Sequence, residues 1–448
     1  MAEWMREYLD TVAGQIRWRR ARPALTQELA GHLEDQYDAL REAGMPEEAA
    51  RAETLRQMGD AVRVGQELDL VHKPKAQWGL LVLTVAVTAA GALLRSVVAR
   101  GSPVGEPERV VFYLLLGLGA LFGCYFLDYS FLGRHAVACY GGAVLLGILC
   151  LIVSPRYGGV SYYTRYFVTI LYPLVYGALV YRLCGRGWPG FLLALAALLP
   201  MAVVCMAAPS MLGLMLLGLS GLVMLVRAIW RGWFRVPRGR ALAVLAALAV
   251  AGVLLLTAQG VWHGLYRRLI LALQPGADPQ GAGYLGVSIT EALSHAALWG
   301  PAETGRLLPA WDTDSLLASM ICRLGWIPVG LLCAGLLALL FWAAARALRQ
   351  KNVLAQLLGI GILLTLGVQM LLSAAMNLGV VLLSATCPFI MGNLHTVLDL
   401  ALMGVLLSAF RQERLPERGD RLRPVGGMPR MRWQNGELVI RLGPSGSV

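Results

Sequence analysis

Residues 309–340 read PAWDTDSLLASMICRLGWIPVGLLCAGLLALL and place two acids, Asp312 and Asp314, directly before a long apolar run. The run from 317 to 345 contains one charged residue, Arg323, and is long enough for a helix to cross the hydrocarbon of a bilayer. The stretch therefore predicts a membrane span that begins beside two carboxylates. A carboxylate at such a boundary is costly unless it is paired or has a function, so both acids need an explanation.

The whole chain has the composition of a polytopic membrane protein. Hydrophobic residues make up 57% of the 448 residues, charged residues make up 15%, and the mean hydropathy is +0.61. A soluble protein is about half apolar and about a quarter charged, so the composition of the chain as a whole indicates a membrane protein. We predict an all-α fold with about ten transmembrane helices, near 78–98, 109–131, 135–153, 165–183, 188–206, 209–229, 240–258, 317–345, 353–376 and 382–410.

The ten spans divide the chain into three parts. Residues 1–75 carry 14 of the 27 acids and place apolar side chains three and four apart, which predicts a cytoplasmic domain of three or four short helices. Residues 76–411 form the membrane domain, in which 259–316 is a long outside loop. The basic, Pro- and Gly-rich tail, 412–448, is predicted to be a mostly disordered cytoplasmic segment, with a hairpin around Asn435-Gly436.

The arginines predict the orientation in the membrane. Every loop that follows an even-numbered span carries arginine, with five between residues 227 and 240, and cytoplasmic loops are the ones enriched in Lys and Arg. We therefore predict a multi-pass protein of the cytoplasmic (plasma) membrane whose N- and C-termini are cytoplasmic and whose Asp312 and Asp314 are extracytoplasmic. Because the net charge of +12 is distributed over such loops, nucleic acid is not a predicted partner.

The residues alone leave two explanations for Asp314. It is placed to cap the N-terminus of the eighth span, as Asp312 and Thr313 are too, and capping is the explanation that composition favours. It is also placed to act as a general base at the membrane boundary, where partial desolvation raises the pKa of a carboxylate.

A second polar pair, His395 and Asp399, lies in the tenth span. The two residues are four apart and so face the same side of a helix. The spacing favours a buried ion or hydrogen-bond pair that fixes this helix to a neighbour. A proton or substrate role is the alternative, because acids inside membrane spans are functional candidates.

Five segments resemble, in the same order, segments of the SEDS family of polytopic membrane proteins (shape, elongation, division and sporulation). Residues 309–340 resemble the family stretch that runs Leu-Pro, a short gap, Thr-Asp and a helix ending near Leu-Gly, with Thr313-Asp314 on the Thr-Asp pair. The other four segments are FLDYSFL (126–132), YRRLILALQPGADPQGAGYLGVSI (266–289), MNLGVVLLSATCPFI (376–390) and ALMGVLLSAFR (401–411). The resemblance covers residues 78–411 and implies the family's ten spans and cytoplasmic termini.

The resemblance implies a function as a peptidoglycan glycosyltransferase that polymerises undecaprenyl-linked lipid II at the outer face of the membrane, in cell division, shape or sporulation. It implies Asp314 as the catalytic base. The leaving pyrophosphate needs positive charge, from arginine or from a divalent cation (Mg²⁺ or Mn²⁺) whose ligands are unknown; no covalent cofactor is implied. A single-span transpeptidase is the implied partner. The candidate substrate-binding residues are Arg267, Arg268, Arg306 and Arg323, with Tyr284 from the family's Gly-Tyr.

Departures from the family pattern keep two other functions open. Where the family continues Ser-Tyr-Gly-Gly-Ser after Pro-Phe-Ile, this chain has Met391-Gly392-Asn393-Leu394-His395. This difference favours a catalytically inactive scaffold or sensor in the cell-wall machinery. A transporter of lipid-linked precursors, in which Asp399 and His395 would matter more than Asp314, ranks last because no inverted repeat with broken helices is visible.

The N-terminal domain has a resemblance of its own. Its Glu-Leu-x-x-His-Leu-Glu-Asp element (28–35) and its Met-Gly-Asp element (58–60) are similar to the small HAAS-type helical domain that precedes various membrane proteins. This resemblance implies a cytoplasmic protein–protein module without catalysis, and hence a cytoplasmic partner.

Overall fold

The computed structural model describes residues 2–18, 21–72, 77–98, 107–157, 160–258, 261–302, 308–381, 383–411, 430–434 and 437–441. Two compact units are present, with Met1–Gln77 as the body of one and Trp78–Ala409 as the body of the other.

The N-terminal unit is a cluster of four helices, as the sequence predicts: α1 (Glu3–Gln15), α2 (Arg22–Glu42), α3 (Glu47–Met58) and α4 (Ala61–His72). Helix α1 buries Tyr8, Leu9 and Val12 on one face, against Leu25 and Leu33 of α2. That spacing of three and four residues creates the apolar stripe that the small core requires. The four helices therefore form a core of their own.

The second unit is a bundle of long apolar helices, and the predicted all-α polytopic fold is confirmed. Nine helical segments in the described residues are long and apolar enough to cross a membrane, and α13, a predicted span, is a further long helix. The helices are α5 (Trp78–Val98), α6 (Pro107–Phe126), α7 (Ser130–Arg134), α8 (Ala136–Val153), α9 (Thr169–Leu183), α10 (Gly187–Ala196), α11 (Leu198–Ala207), α12 (Met211–Trp230), α13 (Arg238–Ala258), α14 (Val261–Leu273), α15 (Tyr284–Ser294), α16 (Leu316–Leu324), α17 (Trp326–Leu348), α18 (Val353–Asn377) and α19 (Leu394–Arg411).

Helices α9 and α18 form the centre of this bundle. A π-helical turn, Thr164–Val168, leads into α9, and 78% of this span is buried inside the protein. The two helices approach closely where each has a glycine: a Cβ on Gly177 would lie 3.1 Å from the Leu357 carbonyl oxygen, and one on Gly361 would lie 2.7 Å from that of Pro173. Small residues at such positions let two membrane helices pack backbone to backbone.

The predicted eighth span, 317–345, is not one helix. It breaks at Gly325, whose φ of 94° separates α16 from α17. The preceding loop satisfies the backbone at the break, since Trp326 N–H donates to the Ala297 carbonyl at 3.1 Å and Gly300 N–H donates to the Leu324 carbonyl at 2.9 Å. A side chain at residue 325 would also collide with this loop, because its Cβ would lie 2.6 Å from the Leu298 carbonyl oxygen.

The predicted tenth span, 382–410, is also shorter than its apolar run. Helix α19 begins only at Leu394, and the described residues between 378 and 393 are non-helical although many of them are buried. Phe389 has a φ of 67°, and the Asp399 carboxylate accepts a hydrogen bond from its N–H at 3.1 Å. This segment, called the 378–393 segment below, brings irregular backbone into the protein-lined interior, where other groups can satisfy it.

Two short hairpins complete the described structure. Strands β1 (Arg156–Tyr157) and β2 (Val160–Ser161) precede the π-helical turn, and β3 (Arg430–Gln434) pairs antiparallel with β4 (Glu437–Arg441). The second pair confirms the hairpin predicted in the tail. The prediction that most of the tail is disordered falls outside the described residues.

Candidate functional site

Asp314 lies in a tight turn that ends where α16 begins. Thr313 N–H and Ser315 N–H both donate to the Ala310 carbonyl, at 3.1 and 3.0 Å, and Ala310 has a φ of 50°. The residue that precedes α16 is Ser315, and no side chain caps this helix terminus. The capping explanation for Asp314 is therefore wrong, because its carboxylate is directed to a different group.

That group is Ser384 in the 378–393 segment, whose hydroxyl donates to Asp314 Oδ2 at 2.7 Å. No Lys, Arg or His of the described chain lies within ion-pair distance of this half-buried carboxylate. Burial raises the pKa of Asp314, while the Ser384 hydrogen bond and the positive charge of Arg165 act in the opposite direction. Asp314 is thus a carboxylate with a neutral donor and a more distant cation.

A second contact fixes the backbone of Asp314. The side chain of Asn377, the last residue of α18, donates to the Asp314 carbonyl at 3.0 Å and accepts from Ala318 N–H at 2.8 Å. The amide also donates to the Ser373 carbonyl of its own helix at 2.8 Å. Asn377 is buried, so this side chain connects the central helix α18 to both sides of the turn.

A pair of arginines joins α5 to the same turn. Arg95, which is fully buried in α5, donates from Nη2 to the Asp312 carbonyl at 3.0 Å, and the Asp312 carboxylate attracts its charge. Arg323 of α16 donates to the carbonyl of Val98, the last residue of α5, and lies over the Trp311 ring at 5.0 Å. The two arginines therefore hold the end of α5 against residues 311–323.

Arg165 belongs to the π-helical turn before α9. Its guanidinium lies 5.2 Å from the centre of the Tyr166 ring, and its charge acts on Asp314 as described above. π-Helical turns are rare and occur often at functional sites. Arg165 is thus the cation of this region that is oriented by an aromatic ring and interacts with the candidate base.

His395 and Asp399 do not form the predicted pair. Asp399 Oδ2 accepts from Phe389 N–H at 3.1 Å, whereas the His395 ring stacks on Phe167 at 4.5 Å. The prediction that these two residues pair to fix one helix to a neighbour is therefore wrong, since each residue contacts a different segment. Asp399 fixes the backbone of the 378–393 segment, and His395 packs against the turn that carries Arg165.

Among the described residues, none of the expected substrate-binding side chains forms a hydrogen bond or ion pair with the Asp314 carboxylate. Arg267 is exposed on α14 with Asp278 at 3.7 Å, and Arg268 is exposed beside it. Tyr284 begins α15 and is 47% exposed. Arg323 is bound to α5 as above, and Arg306 lies outside the described residues. Their roles stay predictions.

A divalent cation would find few protein ligands here. Among the described residues, no three His, Cys, Asp or Glu side chains come together as a metal site. Mg²⁺ is commonly held by one or two carboxylates together with substrate phosphates, and no contact in the described structure brings a second carboxylate to Asp314, so a divalent cation at this site stays a prediction.

Sequence reasoning missed Arg95, Arg165, Asn377 and Ser384 as site residues. Arg95 carries a signal, since it is a lone charge inside an apolar run. Asn377 and Ser384 lie within the quoted stretch 376–390, but nothing in their spacing relates them to a turn more than sixty residues earlier. Only the fold brings these four residues to one end of the bundle.

Solved structures of a peptidoglycan synthase complex and of a rod shape determining protein share this architecture. One, described as the structural coordination of polymerization and crosslinking by a peptidoglycan synthase complex, matches with a TM-score of 0.61 and 23% identity over 75% of this chain and 98% of the other. The rod shape determining protein RodA of Thermus thermophilus matches with a TM-score of 0.50 and 21% identity over 75% of this chain and 97% of RodA. A RodA mutant with an aspartate replaced by alanine gives a TM-score of 0.52 at 21% identity, over 75% and 98% of the two chains.

No protein-family model matches the sequence, and no curated protein matches it either. The structural matches nevertheless cover almost the full length of the solved chains. The similarity to HAAS domains stays a prediction. This chain is a multi-pass membrane protein with the SEDS fold, the fold of RodA.

Proposed function

We propose that this chain is a glycosyltransferase that polymerises lipid II at the outer face of the cytoplasmic membrane, with Asp314 as its general base. The observation that carries the proposal is the environment of that carboxylate: half-buried, hydrogen-bonded by Ser384 and without an ion-pair partner among the described residues. The fold shared with RodA and with a peptidoglycan synthase complex supports the same class of chemistry.

In the proposed reaction the 4-hydroxyl of an acceptor sugar attacks the anomeric carbon of a lipid-linked donor sugar. A new C–O bond forms at that carbon, its bond to the pyrophosphate breaks, and the electron pair leaves with the lipid pyrophosphate. The hydroxyl proton passes to Asp314, because a hydroxyl is a weak nucleophile without a base. Because Ser384 uses one lone pair of Oδ2, Oδ1 and the second lone pair of Oδ2 are left to accept the proton.

The leaving pyrophosphate requires positive charge beside this base. Arg165 is the best candidate, because it lies in the π-helical turn and its charge already acts on Asp314. A bound Mg²⁺ or Mn²⁺ would neutralise the same oxygens. Arg267, Arg268, Arg306, Arg323 and Tyr284 are candidates for contacts with more distant parts of the substrate.

The proposed partner is a transpeptidase with a single span, which would crosslink the glycan that this chain makes. The proposed orientation places Asp314 outside and both termini in the cytoplasm, where the N-terminal unit would bind a partner of its own. A catalytically inactive scaffold is the second candidate, favoured by Met391-Gly392-Asn393-Leu394-His395 in place of the family's motif.

The test is glycan-strand formation from labelled lipid II by the purified full-length chain, with Mg²⁺, with Mn²⁺ or with a chelator. The variants are Asp314→Asn, which keeps the shape of the side chain but removes the base, and Glu108→Gln, which neutralises an exposed acid at the first turn of α6. We expect polymer from the wild type and from Glu108→Gln, and at least a roughly hundredfold loss in Asp314→Asn, as is typical when a positioned base is lost.

Stability separates loss of chemistry from loss of fold in this test. Because the pKa of Asp314 is raised in the folded state, ionisation above that pKa opposes folding, so Asp314→Asn should not lower the melting temperature at pH 7–8. Absence of polymer from the folded wild type, with an active polymerase as positive control, would reject the proposed activity and favour the scaffold.

A further inference from the structure

We infer that Asn377 is a positioning residue for the candidate base: its side-chain amide fixes the Asp314 backbone relative to α18 and thereby aims the carboxylate. This inference rests on the proposed function of Asp314. It gives Asn377 a role in the site that neither the sequence nor the shared fold indicates.

The contacts of Asn377 span the turn on both sides of the base. Its Nδ2 donates to the Asp314 carbonyl at 3.0 Å, and its Oδ1 accepts from Ala318 N–H at 2.8 Å, in the first turn of α16. The same Nδ2 donates to the Ser373 carbonyl at 2.8 Å, which fixes the rotation of the amide. The side chain is 2% exposed, so water does not compete for these bonds.

An amide is the group that this geometry requires. The side chain at residue 377 must donate to two carbonyl oxygens through one group and accept from an N–H through another. Among side chains of this length, only asparagine supplies both groups. A carboxylate at the same position would direct an acceptor at two carbonyls while keeping the bond to Ala318. The carboxyl end of Asp314 is held separately by Ser384, so Asn377 acts on the backbone alone.

The pH dependence of activity is a specific test of this inference, because it depends on the pKa of Asp314. Among the described residues, the charged groups facing this turn are Arg165 from the π-helical turn, Arg95 from α5, Arg323 from α16 and Asp312 within the turn itself. Asn377→Asp replaces the amide by an acid that either ionises next to Asp314 and raises the pKa of Asp314, which moves the acidic limb of the rate profile to higher pH, or stays protonated and loses one of the two donated hydrogen bonds, which lowers kcat. A residue that only packs the helix end would lower the amount of folded protein without moving that limb.

The experiment compares Asn377→Asp with Asn352→Asp at the opposite end of the same helix. Asn352 caps α18 by accepting from Ala355 N–H at 3.0 Å, a role that aspartate performs equally well, so this control should retain wild-type activity. For Asn377→Asp we expect kcat to fall by about 10- to 100-fold, as misplacement of a catalytic group by about 1 Å does, while KM for lipid II changes less than about twofold. A folded Asn377→Asp protein with wild-type kcat and an unshifted acidic limb would overturn the inference.

Hydrogen exchange tests the contact independently of activity. In the wild type, the Ala318 amide should be protected, and in Asn377→Leu the amides of residues 310–318 should exchange about tenfold faster, the effect of one lost hydrogen bond. An Ala318 amide that exchanges as freely as a solvated one in the wild type would overturn the inference even if neither variant folds. If the wild type makes no polymer, the proposed function fails, and this measurement still decides whether Asn377 holds the turn.

Discussion

The Arg95–Asp312 contact makes a quantitative prediction about how the site is held. Arg95 is fully buried in a predicted membrane span, donates to the Asp312 carbonyl at 3.0 Å and is attracted by the half-buried Asp312 carboxylate. A hydrogen bond made by a charged group contributes about 1.5–3 kcal/mol, and the Arg95 guanidinium makes such a bond to the Asp312 carbonyl. We therefore expect Arg95→Met to reduce the free energy of unfolding by about 2–3 kcal/mol.

A double-mutant cycle isolates the interaction. Asp312→Asn removes the carboxylate that attracts Arg95, so the variant with Arg95→Met and Asp312→Asn together should be less destabilised than the sum of the single variants by about 1–2 kcal/mol. The assay is denaturant unfolding in detergent, followed by circular dichroism. The control cycle uses Arg134 and Asp128, an ion pair at 2.9 Å whose arginine side chain is 65% exposed, for which coupling should stay below about 1 kcal/mol. Additivity of the Arg95 cycle within about 0.5 kcal/mol would refute the reasoning.

Two further variants test the base and the helix packing. Ser384→Ala removes the hydrogen bond that stabilises the ionised Asp314; the pKa of Asp314 should therefore rise, and the acidic limb of the polymerisation rate should move to higher pH, whereas Ser384→Thr should keep the wild-type limb. An unmoved limb in Ser384→Ala would contradict this role. Gly361→Ala should lower the free energy of unfolding by about 1–3 kcal/mol, because its Cβ would lie 2.7 Å from the Pro173 carbonyl oxygen. Gly367→Ala in the same helix meets nothing within 4 Å and should be neutral or slightly stabilising, and equal effects of the two in a thermal melt would reject the close packing.

The fold could be predicted from the sequence because the bilayer restricts it. A spanning segment must satisfy its own backbone, so run lengths predict helices, and the count of about ten agrees with the structure. The two errors share one cause: hydropathy does not detect backbone that leaves the helix inside a protein-lined environment. Gly325 breaks the eighth run with a positive φ, and the 378–393 segment stays non-helical because Asp399 and neighbouring groups bind its backbone.

The candidate site was predictable only in part. Asp314 stands out in the sequence because an acid beside an apolar run is costly unless it has a function. The resemblance of Thr313-Asp314 to the Thr-Asp pair of the SEDS family points to the same residue. Its partners do not stand out, because Ser384 and Asn377 are ordinary polar residues whose function depends on contacts 70 and 63 residues away in the chain. Arginines were expected in the long outside loop by charge alone, but the cation whose charge acts on Asp314, Arg165, comes from a π-helical turn that no periodicity indicates.

The neutral surroundings of Asp314 bear on the choice between enzyme and scaffold. Asp128 is a carboxylate of this chain that has a cation in contact, since Arg134 lies 2.9 Å from it. Asp314 instead has a hydroxyl donor, a backbone fixed by a neutral amide and a pKa raised by burial, so ionisation opposes folding at neutral pH. Asparagine would fill the same space without that cost, so the presence of an acid favours the proposed enzyme over the proposed scaffold. A carboxylate held in a fixed position without a cation in contact is what the proposed general base requires, and reduced stability is a common consequence of a functional site.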